Sequence, residues 1–151
     1  MELPEDFKEF IELLNVHQVK YLIIGGYAVG FHSRPKFTQD LDIWIENSQE
    51  NAIRVLSVLK DFGFFELDIT MEDLTNPDRI IQLGHVPLRI DIITSVNGLN
   101  FSDAFQKRAE GKYLGVNAKF ISLKDLLKNK KSTGREKDLE DIRWIQRYSA
   151  Q

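Results

Sequence analysis

Apolar residues recur at helical spacing at Phe7, Phe10, Ile11 and Leu14, which predicts a packing helix over 4–14 with Pro4 and acids near its start. A short apolar run over 21–24 predicts a strand that ends at Gly25-Gly26. The stretch 27–32 then predicts a helix opened by Gly26 and ended by Ser33-Arg34-Pro35. The run 40–45 alternates, with Leu41, Ile43 and Ile45 on one face of a strand and Asp40, Asp42 and Trp44 on the other. An amphipathic helix follows over 51–59, through Ile53, Val55, Leu56 and Leu59, and closes near Gly63.

In the second half, 79–83 and 88–94 read as a hairpin joined by Gly84-His85-Val86-Pro87. On its second strand Leu88, Ile90 and Ile92 oppose Arg89, Asp91 and Ile93. A short helix over 102–109 and two strands within 112–121, parted at 115–117, follow. Ser122 caps a helix over 123–130, and Thr133-Gly134-Arg135-Glu136 matches a capping box for a last helix carrying Leu139, Ile142, Ile145 and Tyr148. No repeat, low-complexity tract or linker interrupts the 151 residues, so the expectation is a single domain over 1–151 with 122–148 as a C-terminal helical pair.

Composition narrows the function classes. Apolar residues make up 42% and charged ones 28%, and no stretch is apolar enough for a membrane span. The amino terminus is acidic where a signal peptide is basic and then apolar, so a cytoplasmic protein is expected. Zero cysteines exclude thiolate chemistry, and a metal must be held by oxygen or imidazole, which suits magnesium better than zinc. His17, His32 and His85 show no metal-ligand spacing. The net charge of -3 gives no global attraction for nucleic acid, although 119–137 carries seven basic residues against Asp125 and Glu136, which reads as a local basic face or a solvated helix.

Chemistry concentrates at the first glycine pair and the alternating strand. Gly25-Gly26 permits close approach of backbone N–H groups to phosphate at the positive end of a helix. Asp40 and Asp42 project from one face about 6.6 Å apart along the strand. Metal-assisted phosphoryl chemistry requires several carboxylates on rigid elements, and a third is supplied by Asp91, which interrupts the apolar run Ile90-Asp91-Ile92-Ile93 where an unpartnered acid is costly. The alternative for Asp91 is a structural ion pair with Arg89 or Arg79. Trp44 shares the carboxylate face, either as a wall for a base or as a half-buried packing residue.

The segment Gly25-Gly26-Tyr27-Ala28-Val29-Gly30-Phe31-His32-Ser33-Arg34-Pro35-Lys36-Phe37-Thr38-Gln39-Asp40-Leu41-Asp42 resembles the signature of the nucleotidyltransferase fold shared with DNA polymerase beta. It is most similar to small bacterial nucleotidyltransferase-like proteins akin to the AbiEii toxin group. The carboxyl-terminal stretch from Lys130 through Arg135, Lys137, Asp138 and Asp141 resembles a second pattern of that group. The resemblance implies an α/β (α+β) fold, a mixed sheet with helices mainly on one face. It implies that Asp40 and Asp42 hold Mg2+, or Mn2+, and that Asp91 joins them for the metal that activates the acceptor hydroxyl. Lys130 faces nucleotide phosphate, and Asp138 and Asp141 orient that lysine or the acceptor. Arg34 and Thr38 either contact phosphate or fix the loop that aims Asp40. Larger relatives carry a helical domain that presents the acceptor, where this chain has its last two helices.

The expected activity is transfer of a nucleoside monophosphate from a nucleoside triphosphate (NTP) to an acceptor hydroxyl, with tRNA, a protein or a small molecule as acceptor. The rival expectation is a catalytically silent nucleotide-binding or toxin-antitoxin interaction module, working with a partner protein or as a homo-oligomer.

Overall fold

Four consecutive buried residues, Tyr21 to Ile24, form strand β1 (Tyr21–Ile24) near the middle of a six-stranded sheet. A strand covered on both faces reads as continuous apolar sequence rather than as alternation. The computed structural model describes residues 3–35, 38–63, 68–85 and 88–149. Among them the remaining strands are β2 (Asp40–Ile45), β3 (Ile80–His85), β4 (Leu88–Ile93), β5 (Ala109–Tyr113) and β6 (Val116–Phe120), in spatial order β3-β4-β2-β1-β6-β5. β2 pairs antiparallel with β1 and parallel with β4, and β1 pairs parallel with β6, so the sheet is mixed.

Helix α1 (Leu3–Val16) buries Phe7, Phe10, Ile11 and Leu14, the residues whose spacing predicts it. Helix α2 (Gly25–His32) starts directly from β1, and α3 (Gln49–Phe62) is capped by Ser48, whose hydroxyl accepts from the Asn51 N–H, and closed by Gly63 at φ +98°. Leu41, Ile43 and Ile45 are fully buried, as the alternation of β2 requires. Trp44 corrects the half-buried expectation: only 1% of it is exposed, because the edge of Phe101 closes over its ring at 5.1 Å between centroids.

Other corrections are local. A five-residue helix, α4 (Met71–Thr75), follows a Thr70/Asp73 capping box and is too short for periodicity to reveal. Helix α5 (Phe101–Gln106) begins after its cap Asn100 and stops earlier than expected, because Ala109 already belongs to β5. The β5–β6 turn falls at Leu114-Gly115, both at positive φ, rather than at 115–117; a two-residue hairpin loop of this kind matches strand twist. In the β3–β4 connection, Val86 and Pro87 lie outside the described residues.

Helix α6 (Leu123–Thr133) is capped by Ser122 and ended by Gly134 at φ +62°, and α7 (Glu136–Tyr148) packs against it. The capping box expected at Thr133–Glu136 does not form. Arg135 occupies the cap position without a side-chain cap bond, and Thr133, still in the last turn of α6, turns its hydroxyl to the Asp138 carboxylate.

Candidate active site

The parallel register of β2 and β4 sets Asp42 directly beside Asp91 and Asp40 beside Arg89. The antiparallel register of β1 and β2 sets Ile24 beside Asp42, so the chain leaves β1 and enters α2 at the same place. Gly25 takes φ +70°, and a Cβ there would lie 2.2 Å from Asp42 Oδ2; at Gly26 it would lie 2.8 Å from Thr38 Oγ1. Both positions exclude a side chain because the carboxylate and the loop after α2 pass that close. The Thr38 hydroxyl donates to the Asp40 carbonyl at 3.4 Å, which ties the loop to the start of the carboxylate strand.

The carboxylates do not share one environment. Arg89 donates through Nε to Asp91 Oδ1 at 2.9 Å, and through its terminal nitrogen to Asp91 Oδ2 at 3.3 Å and Asp40 Oδ2 at 3.1 Å. The ion-pair alternative for Asp91 is therefore present, with Arg89 as partner, while Arg79 turns to Asp73 at 3.5 Å. Asp42 has no hydrogen-bond partner among the described residues. Burial first, and then the charges of Asp91 and Asp40, push its carboxyl up to about 7, against partial relief from Lys137 and Lys130. Burial also raises Asp91, with the Arg89 hydrogen bonds opposing.

Across a cleft of about 630 Å³ stand α6 and α7. Lys130 is 6% exposed, and its ammonium donates to Asp141 Oδ2 at 2.8 Å and Asp138 Oδ1 at 3.3 Å. Burial pushes Asp138 up, but hydrogen bonds from Arg135 and Thr133 and the charge of Lys130 outweigh it and leave its carboxyl well below the ordinary range. Gly25, Gly26, Asp42, Lys130, Arg135 and Lys137 all face this cleft, together with Ser95 and Asn97 beyond β4 and Asn129 on α6. Asp40, Asp91 and Arg89 do not line it, and Asp91 adjoins it only through its register neighbour Asp42. Arg34 lies elsewhere: its guanidinium stands 4.7 Å over the Tyr148 ring, and its carbonyl accepts from Trp144 Nε1 at 2.9 Å, so it latches the end of α7 to the loop after α2.

From the sequence Arg89 is expected only as an ion-pair partner of Asp91, and Ser95, Asn97 and Asn129 are not expected at the site. The Arg-x-Asp spacing on a strand carried the first signal, since residues two apart share a face; the other three carry no motif.

The donor set is hard oxygen, and a nearby divalent cation offsets both the burial and the neighbouring negative charges that raise Asp42. In the present arrangement Arg89 draws Asp40 and Asp91 together, and among the described residues no three acids or histidines converge as metal ligands. Carboxylate oxygens of this kind are the donors that hard divalent cations take.

A glycine-opened helix start, a strand carboxylate and a buried lysine thus line one cleft of a mixed α/β fold. The chain belongs to the family described as nucleotidyl transferase of unknown function, DUF2204, whose model matches residues 4–151. It is an enzyme of that class. Among curated proteins none matches. Its fold is similar to that of the lincosamide antibiotic adenylyltransferase LnuA in its lincomycin-bound crystal structure, at 17% identity and a TM-score of 0.57, covering 94% of this chain and 95% of that one. No helix among the described residues is long and apolar enough to cross a membrane.

Proposed function

We propose that the chain moves a nucleoside monophosphate from an NTP to the hydroxyl of a small-molecule acceptor, in a magnesium-dependent reaction, as one nucleotidyltransferase domain. The observation that carries this reading is Asp42, a carboxylate raised toward neutrality and left without a partner, held between Asp91 and the glycine-opened start of α2. Leaving such a group unsatisfied costs stability, and ligand binding removes the cost.

In the proposed step the acceptor oxygen bonds to the α-phosphorus and the bridging bond to the β-phosphate breaks. Pyrophosphate leaves with the electron pair, and the hydroxyl proton passes to a carboxylate of the cluster. Magnesium, when bound by Asp40 and Asp42, supplies charge neutralisation on the phosphates. The chain's own groups do the positioning: backbone N–H groups at Gly25 and Gly26 hold phosphate oxygens, and Lys137 and Lys130 set a positive wall opposite. Asp138 and Asp141 hold Lys130 in place. LnuA, named as an antibiotic adenylyltransferase, supports a small-molecule acceptor as the class to try first. The kinship with the AbiEii toxin group rests on the two motifs alone.

Incubation with each labelled NTP, magnesium or manganese, and fractionated cell extract tests the reading against Asp42→Asn. Label moved to a small molecule by the wild type and not by the variant is the expected result. Tight nucleotide binding with no transfer to any fraction sinks it in favour of a silent module.

A further inference from the structure

A second cavity, of about 510 Å³, shares Gly26 with the first cleft and is otherwise lined by different residues. Four of its ten lining residues are aromatic, Tyr27, Phe31, Tyr113 and Phe120, and Gly26 and Gly30 leave one side of α2 bare. These rings are fixed. Phe31 stacks on Phe120 at 4.0 Å and 3° between planes, although 39% of it is exposed, and Tyr27 meets Tyr113 edge-on at 5.2 Å. Gly111 makes the Phe31 stack possible, because a Cβ there would lie 2.3 Å from Phe31 Cε1. Held open rings of this kind form a preorganised surface for another ring, since the surrounding side chains need not be ordered on binding.

Two observations join this cavity to the carboxylate strand. Gly26 lines both cavities. Tyr27, packed edge-on against Tyr113, donates to the Thr38 carbonyl at 3.3 Å, the residue whose own hydroxyl reaches the Asp40 carbonyl. Among the described residues the one charged group lining the cavity is Lys112, and its ammonium is engaged with Asn117 Oδ1 at 3.1 Å. Without a carboxylate the site does not suit a polycation, whose desolvated charges would have no partner.

We propose that this cavity is the acceptor subsite, and that it takes an uncharged compound carrying a planar ring and a hydroxyl. The assignment rests on the nucleotidyl-transfer reading above. A nucleotide in the first cleft and an acceptor in this cavity would both border Gly26.

The test uses the full chain with 2-naphthol as an uncharged ring probe and kanamycin as a polycation. Naphthol fluorescence reports binding, and pyrophosphate release from ATP with magnesium reports transfer. The expected results are saturable naphthol binding that ATP does not displace, at least tenfold weaker in Phe31→Ala and within twofold in Phe31→Tyr, with kanamycin failing to compete. Naphthol is also expected to raise pyrophosphate release at least fivefold in the wild type and not in Phe31→Ala. Circular dichroism confirms that each variant is folded. No naphthol binding, displacement by ATP, or competition by kanamycin overturns the assignment. Asp42-dependent pyrophosphate release that naphthol does not change overturns the acceptor role while nucleotidyl transfer stands. ATP that neither binds nor turns over removes the parent reading together with the acceptor role.

Discussion

Asp42→Asn is expected to stabilise the metal-free protein. Raising a carboxyl from its ordinary 3.8 to about 7 means that the native state holds a proton which the unfolded chain has already released. Stability therefore falls as pH rises between those values and is flat above them. At about 1.4 kcal/mol per tenfold change the full penalty has a ceiling of about 4 kcal/mol. The cleft is open to water, which screens the repulsion from Asp91 and Asp40, and about 2 kcal/mol is the working value. For a chain of this size that corresponds to about 5 °C in Tm. Urea unfolding in chelator, at pH 4.5 and pH 8, measures it: Asp42→Asn should exceed wild type by about 2 kcal/mol at pH 8 and the gap should shrink toward pH 4.5. Asp138 does not confuse the comparison, since its lowered carboxyl loses stability only as pH falls below the ordinary aspartate range. Magnesium should then raise wild-type stability and leave the variant unmoved. An Asp42→Asn protein that is no more stable than wild type at pH 8, or a gap indifferent to pH, refutes the reasoning.

Lys130→Met removes the cation between two buried aspartates, and because Asp138 keeps Arg135 and Thr133 the loss should lie at the low end for a broken buried pair, about 3 kcal/mol by chemical denaturation. Adding Asp141→Asn to that variant should recover part of the loss; a further additive loss contradicts the pairing. Gly25→Ala places a methyl on Asp42 Oδ2 at a positive φ, so it should cost about 1 kcal/mol from backbone strain alone and abolish NTP binding in calorimetry. Arg89→Met frees Asp40 and Asp91, and magnesium should then bind more tightly, with a larger magnesium-induced rise in Tm than wild type; an unchanged rise counts against competition at these carboxylates.

Much of this was legible in sequence, for reasons that differ by element. The strand 40–45 declared itself because two aspartates alternate with aliphatics, and alternation is a direct readout of pleating. Asp91 was legible as an acid inside an apolar run. What joined them was not: the parallel register that sets Asp42 beside Asp91 is a long-range pairing across a crossover, and no local pattern encodes it. Trp44 misled because alternation tells which face a residue takes and not what covers that face; here Phe101, from a distant helix, does so. Thr133–Glu136 satisfied the capping-box pattern, yet the buried Asp138 draws the Thr133 hydroxyl, and a charge-assisted bond to a buried carboxylate outweighs a solvent-facing cap. Arg34 carried a motif position and proved to be a latch on α7, since a motif fixes residue type without fixing which neighbour the side chain meets.

The distribution of charge explains why one acid is singled out. Of the five aspartates predicted from sequence to form the site, four are partnered by basic side chains: Arg89 serves Asp40 and Asp91, and Lys130 serves Asp138 and Asp141. These two cations are held by strand and helix, so the acids they serve are neutralised before any ligand arrives. Asp42, at the junction of β1, α2 and β4, is left to repel its neighbours. Under the proposed reading, positive charge entering the cleft offsets the burial and the neighbouring charges that raise Asp42, so metal or metal-bound nucleotide is expected to gain affinity from the carboxylate beside Gly25.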